Sequence, residues 1–321
     1  MVDLGRVFQL TFADLESERT NGSPAADDAA ALVTYRYLRL AMVTMVVALG
    51  AAILEQRGRD HGWQNSISAY YYTPARPIFV AGMVGIGLGL IVIKGRTPIE
   101  DWLLNCAGML APIVGLVPTD PTETCTTTAC NIARAKLIAG TKVQAHDNLK
   151  AVLIAGSAAV AFAAVVLAIT QLDHKSRERT QHQVSRIALL VATLAAVLVG
   201  WSLLASGRIL KWHAVAAVWM FVMLGLASLW SGITLWWFNH KAERPAGHWR
   251  LFAGCYVAIA AAMVIAGIII KTRSEPWRCR ILVLEIIEIG LFAAMWIVQS
   301  VERWGTVITI DQGLPAAGAD G

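Results

Sequence analysis

Charge is what this chain has least of. Asp, Glu, Lys and Arg make up 15% of its 321 residues, against about 25% in an ordinary soluble domain. That scarcity excludes the usual solvated surface. Cysteine is sparse too, five in all, which excludes a disulfide-built secreted scaffold. Alternation of apolar and polar positions is missing, so a membrane barrel is not expected. No charged start leads into an apolar core and small-residue cleavage site, so no signal peptide is expected and the first apolar span directs insertion. No His-Glu-x-x-His spacing and no Gly-x-Ser-x-Gly elbow occur. No basic stripe is interleaved with aromatics, so the net charge of +5 points to lipid headgroups and no nucleic acid is expected as a partner.

What is present is apolar sequence in long blocks. Hydrophobic residues reach 56% and the mean hydropathy is +0.56. Blocks of roughly 17 to 26 residues suit a hydrocarbon core about 30 Å thick. Backbone inside such a core must satisfy its own hydrogen bonds, so each block is read as a helix. The expected fold class is all-α: a polytopic transmembrane helical bundle of about eight spans, near 38–55, 77–94, 102–118, 149–171, 187–206, 213–238, 251–270 and 281–299. Residues 1–36 read as a disordered polar segment, 37–303 as the transmembrane domain and 304–321 as a flexible tail. The short connection Ser206-Gly207-Arg208 predicts that the fifth and sixth helices pack as antiparallel neighbours. Gly85 and Gly89 make a small-xxx-small pair for close helix approach, and Pro112 predicts a kink in the third span.

Eight spans put both termini on one side. With that side inside, Lys and Arg divide 14 inner to 13 outer, which sets no preference by the positive-inside rule. Cys125 and Cys130 lie in the long third loop and are spaced for a small disulfide if that loop faces an oxidising compartment; a pair of free thiols is the alternative. On this ground the termini are placed inside.

Polar residues in or beside apolar spans need a reason. Glu285 and Glu288 are three apart on one face near the start of the last span, where a proton relay, a cation site and a buried hydrogen-bond network all fit. With eight spans, one membrane face collects Glu55, the segment 61–76, Thr119 with Asp120, His146 with Asp147, His213 and Glu285. His61, His146 and His213 are therefore candidate zinc ligands or acid–base groups, or simply residues that meet water at the interface. The stretch Ser66-Ile67-Ser68-Ala69-Tyr70-Tyr71-Tyr72 reads as an interfacial segment packed on helix ends with hydroxyls turned inward, or as a plain aromatic belt. Neither serine has a base beside it in the sequence, which argues against a serine nucleophile. At the other face Asp101 reads as a helix N-cap, and Asn105, one turn deeper, is expected to bond a neighbouring helix.

These residues carry a resemblance. Ser66-Ile-Ser-Ala-Tyr-Tyr-Tyr-Thr73 followed by Arg76 and Phe79-Val80, then Asp101 with Asn105-Cys-Ala-Gly108 and Pro118-Thr119, resembles a family of uncharacterised bacterial multi-pass membrane proteins. His213 and Leu284-Glu285 are similar to that family's later signposts. The chain departs from the family at Tyr72, where His is frequent, and in residues 125–210, which add two spans to the family's six. The resemblance implies a bacterial cytoplasmic membrane protein and a set of important residues, not a reaction. A Ser, Asp and His set spread over several helices is also similar to the membrane hydrolase superfamily that includes alkaline ceramidases, whose paired late histidines are missing here.

The functional expectation is a binding or transport-type protein with a polar pocket near the outer leaflet for a small amphiphile or cation. Ser66, Ser68, Tyr70, His213, Glu285 and Glu288 are its candidate lining, and Asp101 and Asn105 are structural anchors. The alternatives are a metal-dependent hydrolase acting on lipid, with zinc as cofactor, and a structural or partner-binding subunit. Whether the chain is an enzyme stays open, as does its oligomeric state.

Overall fold

The computed structural model describes residues 24–60, 62–119, 128–172, 180–206, 211–242, 247–272 and 279–303. Eight α-helices run through them: α1 Pro24–Asp60, α2 Arg76–Val92, α3 Pro98–Leu116, α4 Thr128–Leu172, α5 Thr180–Ala205, α6 Lys211–Lys241, α7 His248–Thr272 and α8 Arg280–Glu302. A 3-10 helix, Ser68–Tyr72, precedes α2. No strand occurs among the described residues. α1 starts at Pro24, inside the segment expected to be unstructured.

Six of these helices are long and apolar enough to cross a membrane: α1, α3, α4, α6, α7 and α8. The count of about eight spans is therefore not met on length and composition. α2 has 17 residues, about 26 Å at 1.5 Å per residue, and α5 contributes only a shorter apolar stretch, 193–202. The outward faces are apolar as well. Val218, Val264, Ile268 and Ile297 are exposed, and only 11% of the apolar window in α4 is buried by protein. Helices apolar all round fit an integral membrane protein.

Packing arranges six helices in a closed ring, α1 to α2 to α3 to α6 to α7 to α8 and back to α1. α4 and α5 pair with each other outside it, and α4 touches the ring at α3 and at Arg76 of α2. The expected pairing across the short 206–208 connection is thus overturned. α6 has α3 and α7 on either side, while α5 lies on α4, where Gly156 faces Val197 and Gly200 faces Leu153. Loop length sets reach; side-chain fit chose the neighbours.

Small residues fix the ring's tightest crossing. A Cβ on Gly87 of α2 would lie 2.7 Å from the Gly108 carbonyl oxygen of α3 and 2.9 Å from Pro112 Cδ. Pro112 supplies no N–H to the carbonyl four residues back, so the Gly108 oxygen is released by the proline and covered by Gly87. Gly89, one of the two glycines singled out above, faces Met42 of α1 instead, with Gly85 beside Met45. Between the ring helices lies one apolar core that includes Met42, Phe79, Leu90, Leu104, Tyr256 and Trp296.

Candidate functional site

The 3-10 helix is pinned to the start of α8 by one backbone bond and one backbone-to-carboxylate bond. The Leu282 N–H donates to the Asn65 carbonyl at 3.0 Å, which satisfies one of the orphan donors of a helix N-terminus. In return the Ile67 N–H donates to Glu285 Oε2 at 2.5 Å. Ser66 is spent locally: its Oγ accepts the Ala69 N–H at 3.1 Å and holds the turn. Tyr70 and Tyr71 are buried in the core and not laid out as a belt. Tyr72 donates its hydroxyl to the Thr119 carbonyl at 2.6 Å.

This anchoring brings three of the expected site residues together from three elements. Ser68 Oγ lies 2.7 Å from His213 Nε2, at the start of α6, and 3.4 Å from Glu285 Oε1. His213 Nδ1 lies 2.5 Å from the Val117 carbonyl oxygen at the end of α3. A carbonyl only accepts, so Nδ1 carries the hydrogen. Two arrangements of protons then fit the same heavy atoms. With a neutral imidazole, Ser68 donates to Nε2 and a protonated Glu285 donates to Ser68. With an imidazolium, Nε2–H donates to Ser68 and Ser68 donates to the Glu285 carboxylate. They differ by the concerted move of two protons along Glu285, Ser68 and His213.

The base missing beside Ser68 in sequence is therefore supplied by the fold, 145 positions along the chain. Ser68 and His213 are both buried. Among the described residues, neither Lys nor Arg forms a salt bridge with Glu285. Glu288 is buried one turn further along α8, and its Oε2 has no hydrogen-bond partner among the described residues.

The other expectations distribute differently. His146 lies on α4 against its own neighbour, with Nδ1 3.3 Å from Asp147 Oδ1. His61, Asp120 and Cys125 lie outside the described residues, and the side chain of Cys130 is not described. Among the described residues no group of three His, Cys, Asp or Glu is placed to hold a metal ion.

At the opposite end of the ring, Thr97 and not Asp101 caps α3, its Oγ1 accepting the Glu100 N–H at 3.3 Å. Pro98 follows at the first helical position, where a missing N–H costs nothing. That sequence start, Thr-Pro-Ile-Glu, outcompetes Asp101, which instead accepts Lys94 Nζ at 2.9 Å. Asn105 is buried and its Oδ1 has no hydrogen-bond partner among the described residues, so no bond from that atom reaches a neighbouring helix.

Around Glu100 stands a second polar cluster that sequence reasoning missed. Glu100 Oε1 accepts Ser231 Oγ at 2.9 Å and Gln299 Nε2 at 3.3 Å. Its Oε2 accepts the Arg96 N–H at 2.8 Å, and Arg303 Nη2 lies 3.7 Å from Oε1. Arg96 pairs with Glu302, which also accepts the Tyr256 hydroxyl at 2.7 Å. Arg39 of α1 is buried within electrostatic reach of Glu100, Glu302 and Arg303. Its signal was available, a charge inside the first apolar span. Glu100 and Glu302 are locked against arginines; Glu285 is held by a serine and a backbone amide.

Comparison with known proteins adds no name to this geometry: no family model, no curated protein and no solved structure matches the chain.

Proposed function

We propose that this is a multi-pass bacterial cytoplasmic-membrane protein of binding or transport type, in which Glu285, Ser68 and His213 form a proton relay coupled to the binding of a small amphiphile or ion. The observation that carries the reading is Ser68 bridging His213 at 2.7 Å and Glu285 at 3.4 Å, with no Lys or Arg salt bridge to the carboxylate among the described residues. An arginine-paired carboxylate keeps its charge; one held by a hydroxyl and an amide takes up and releases a proton with little rearrangement.

The spans support this reading. α2 begins at the Ser68 end and is followed by Arg96 at the Glu100 end, so it covers the height of the ring although it is short. The ring closes without α4 and α5, as an added pair in residues 125–210 requires, which agrees with the resemblance to the bacterial family. With both termini in the cytoplasm the relay faces the outer leaflet.

The test is reconstitution in liposomes loaded with a pH-sensitive dye, screened with a panel of small amphiphiles and ions. A proton signal that disappears in Glu285→Gln and Ser68→Ala, while thermal stability is retained, is the expected result. Undiminished proton coupling in both variants would sink the relay.

One observation favours a second reading. The Val117 carbonyl leaves His213 Nε2 as the base facing Ser68, which is the arrangement that activates a serine nucleophile. A membrane hydrolase acting on lipid predicts covalent labelling of Ser68 by a fluorophosphonate, lost in His213→Ala. No labelling rules this reading out and leaves the relay.

A further inference from the structure

The space beside the relay has an electrical sign. Between the 3-10 helix, the start of α2 and the first part of α4 lies a cavity of about 390 Å³ whose lining includes Tyr71, Tyr72, Arg76, Lys136, Thr141 and Gln144. That volume falls within the roughly 300–1,000 Å³ of small-molecule sites. Two of its lining residues are cationic, and no Asp or Glu lines it among the described residues. Arg76 is held in place by neutral groups. Its Nη2 donates to the Tyr71 hydroxyl at 2.6 Å and to Gln144 Oε1 at 3.1 Å, and its guanidinium lies 4.0 Å over the Tyr71 ring. Burial raises the Tyr71 phenol above its ordinary value against the opposing pull of Arg76, so the hydroxyl accepts from Arg76 while keeping its own proton. Orientation is thereby supplied with no carboxylate paired to Arg76 among the described residues.

The level of the cavity matters as much as its charge. The apolar run of α4 begins after Lys150, and Lys136, Lys142 and Lys150 precede it. Arg76 stands at the first residue of α2, just ahead of that helix's apolar stretch. These are positions where headgroups meet helix ends. We propose that this cavity binds a phosphate-type oxyanion at the membrane surface, through Arg76 as an oriented fork and Lys136 as a mobile point charge. The cavity thus selects an anionic ligand over a cation. The inference rests on the membrane reading but not on the relay.

The test uses the full chain in detergent, titrated with phosphatidylglycerol or phosphatidylcholine and followed by native mass spectrometry, with inorganic phosphate followed by thermal shift. Phosphatidylglycerol is expected to bind in preference, and Arg76→Gln and Lys136→Gln each to weaken it about fivefold. Stabilisation by inorganic phosphate without that lipid preference, and lost in the same variants, identifies a free oxyanion as the ligand and upholds the site. Lys136 is exposed on α4, so Lys136→Gln keeps the test valid if Arg76→Gln fails to fold. Equal binding of both lipids with no phosphate shift overturns the proposal, as does wild-type binding in Lys136→Gln and Arg76→Gln. Glu285→Gln is expected to bind phosphatidylglycerol normally, so failure of the relay and failure of this site are read separately.

Discussion

His213 Nδ1 lies 2.5 Å from the Val117 carbonyl oxygen, and this one bond joins the residue that follows α3 to the first turn of α6. It sets the tautomer that faces Ser68, and it holds together two chain segments that are 96 positions apart. Everything between those segments belongs to α4, α5 and their connections.

The α4–α5 pair is therefore expected to be dispensable for the ring. Replacing residues 120–210 by a short Gly/Ser linker from Thr119 to Lys211 should leave a folded six-helix protein that elutes as a single species. Aggregation of the shortened chain, with the intact chain well behaved, counts against an independently closed ring.

His213→Ala removes partners from two buried groups at once, the Ser68 hydroxyl and the Val117 carbonyl. An unsatisfied buried polar group costs about 1–3 kcal/mol, so a clear loss of thermal stability is expected. Ser68→Ala removes the hydroxyl itself and should cost less. Equal stability of His213→Ala and the wild type would show that water or lipid replaces the ring without loss.

Glu100→Ala should be the most damaging single change in the second cluster. Ser231, Gln299 and the Arg96 N–H lose their acceptor, and Arg303 and Arg39 keep one fewer counter-charge. Breaking a buried pair from one side costs about 3–5 kcal/mol. Glu55→Ala is the control: its bridge to Arg59 is exposed on both sides, and such pairs contribute about 0–1 kcal/mol. Comparable melting temperatures for the two variants would refute the anchoring role.

Gly87→Ala forces a Cβ against the Gly108 carbonyl and the Pro112 ring, and overpacking of this kind costs about 1–3 kcal/mol. Gly254→Ala meets nothing within 4 Å and should leave stability unchanged or slightly improved. Thermal unfolding of the pair checks the α2–α3 crossing directly.

Sidedness has its own measurement. With the termini in the cytoplasm, Cys125 and Cys130, the latter in the first turn of α4, are expected on the external side and should react, after reduction, with an impermeant thiol reagent on whole cells. Labelling only after the membrane is opened inverts the topology and puts the relay on the cytoplasmic side.

Some of this protein is legible residue by residue in its sequence. An all-α fold follows from block length and the need to satisfy backbone groups in an apolar slab, a property of each segment alone. The common end at which Ser68, His213 and Glu285 gather follows from alternating helix direction only on a count of about eight spans, which length and composition do not meet. The ring closure does not follow. α6 lies on α7 where Gly232 faces the Ala253 carbonyl, and α2 lies on α3 where Gly87 faces the Gly108 carbonyl; no pattern within one segment encodes which partner it will meet. Nor does the relay follow. Glu285 turns to Ile67 and Ser68, whereas Glu288, three residues on, does not; the sequence presents the two carboxylates alike. Hydrophobicity acts on each segment separately and is readable locally, whereas hydrogen-bond geometry depends on atoms far apart in the chain and exists only once the helices have packed.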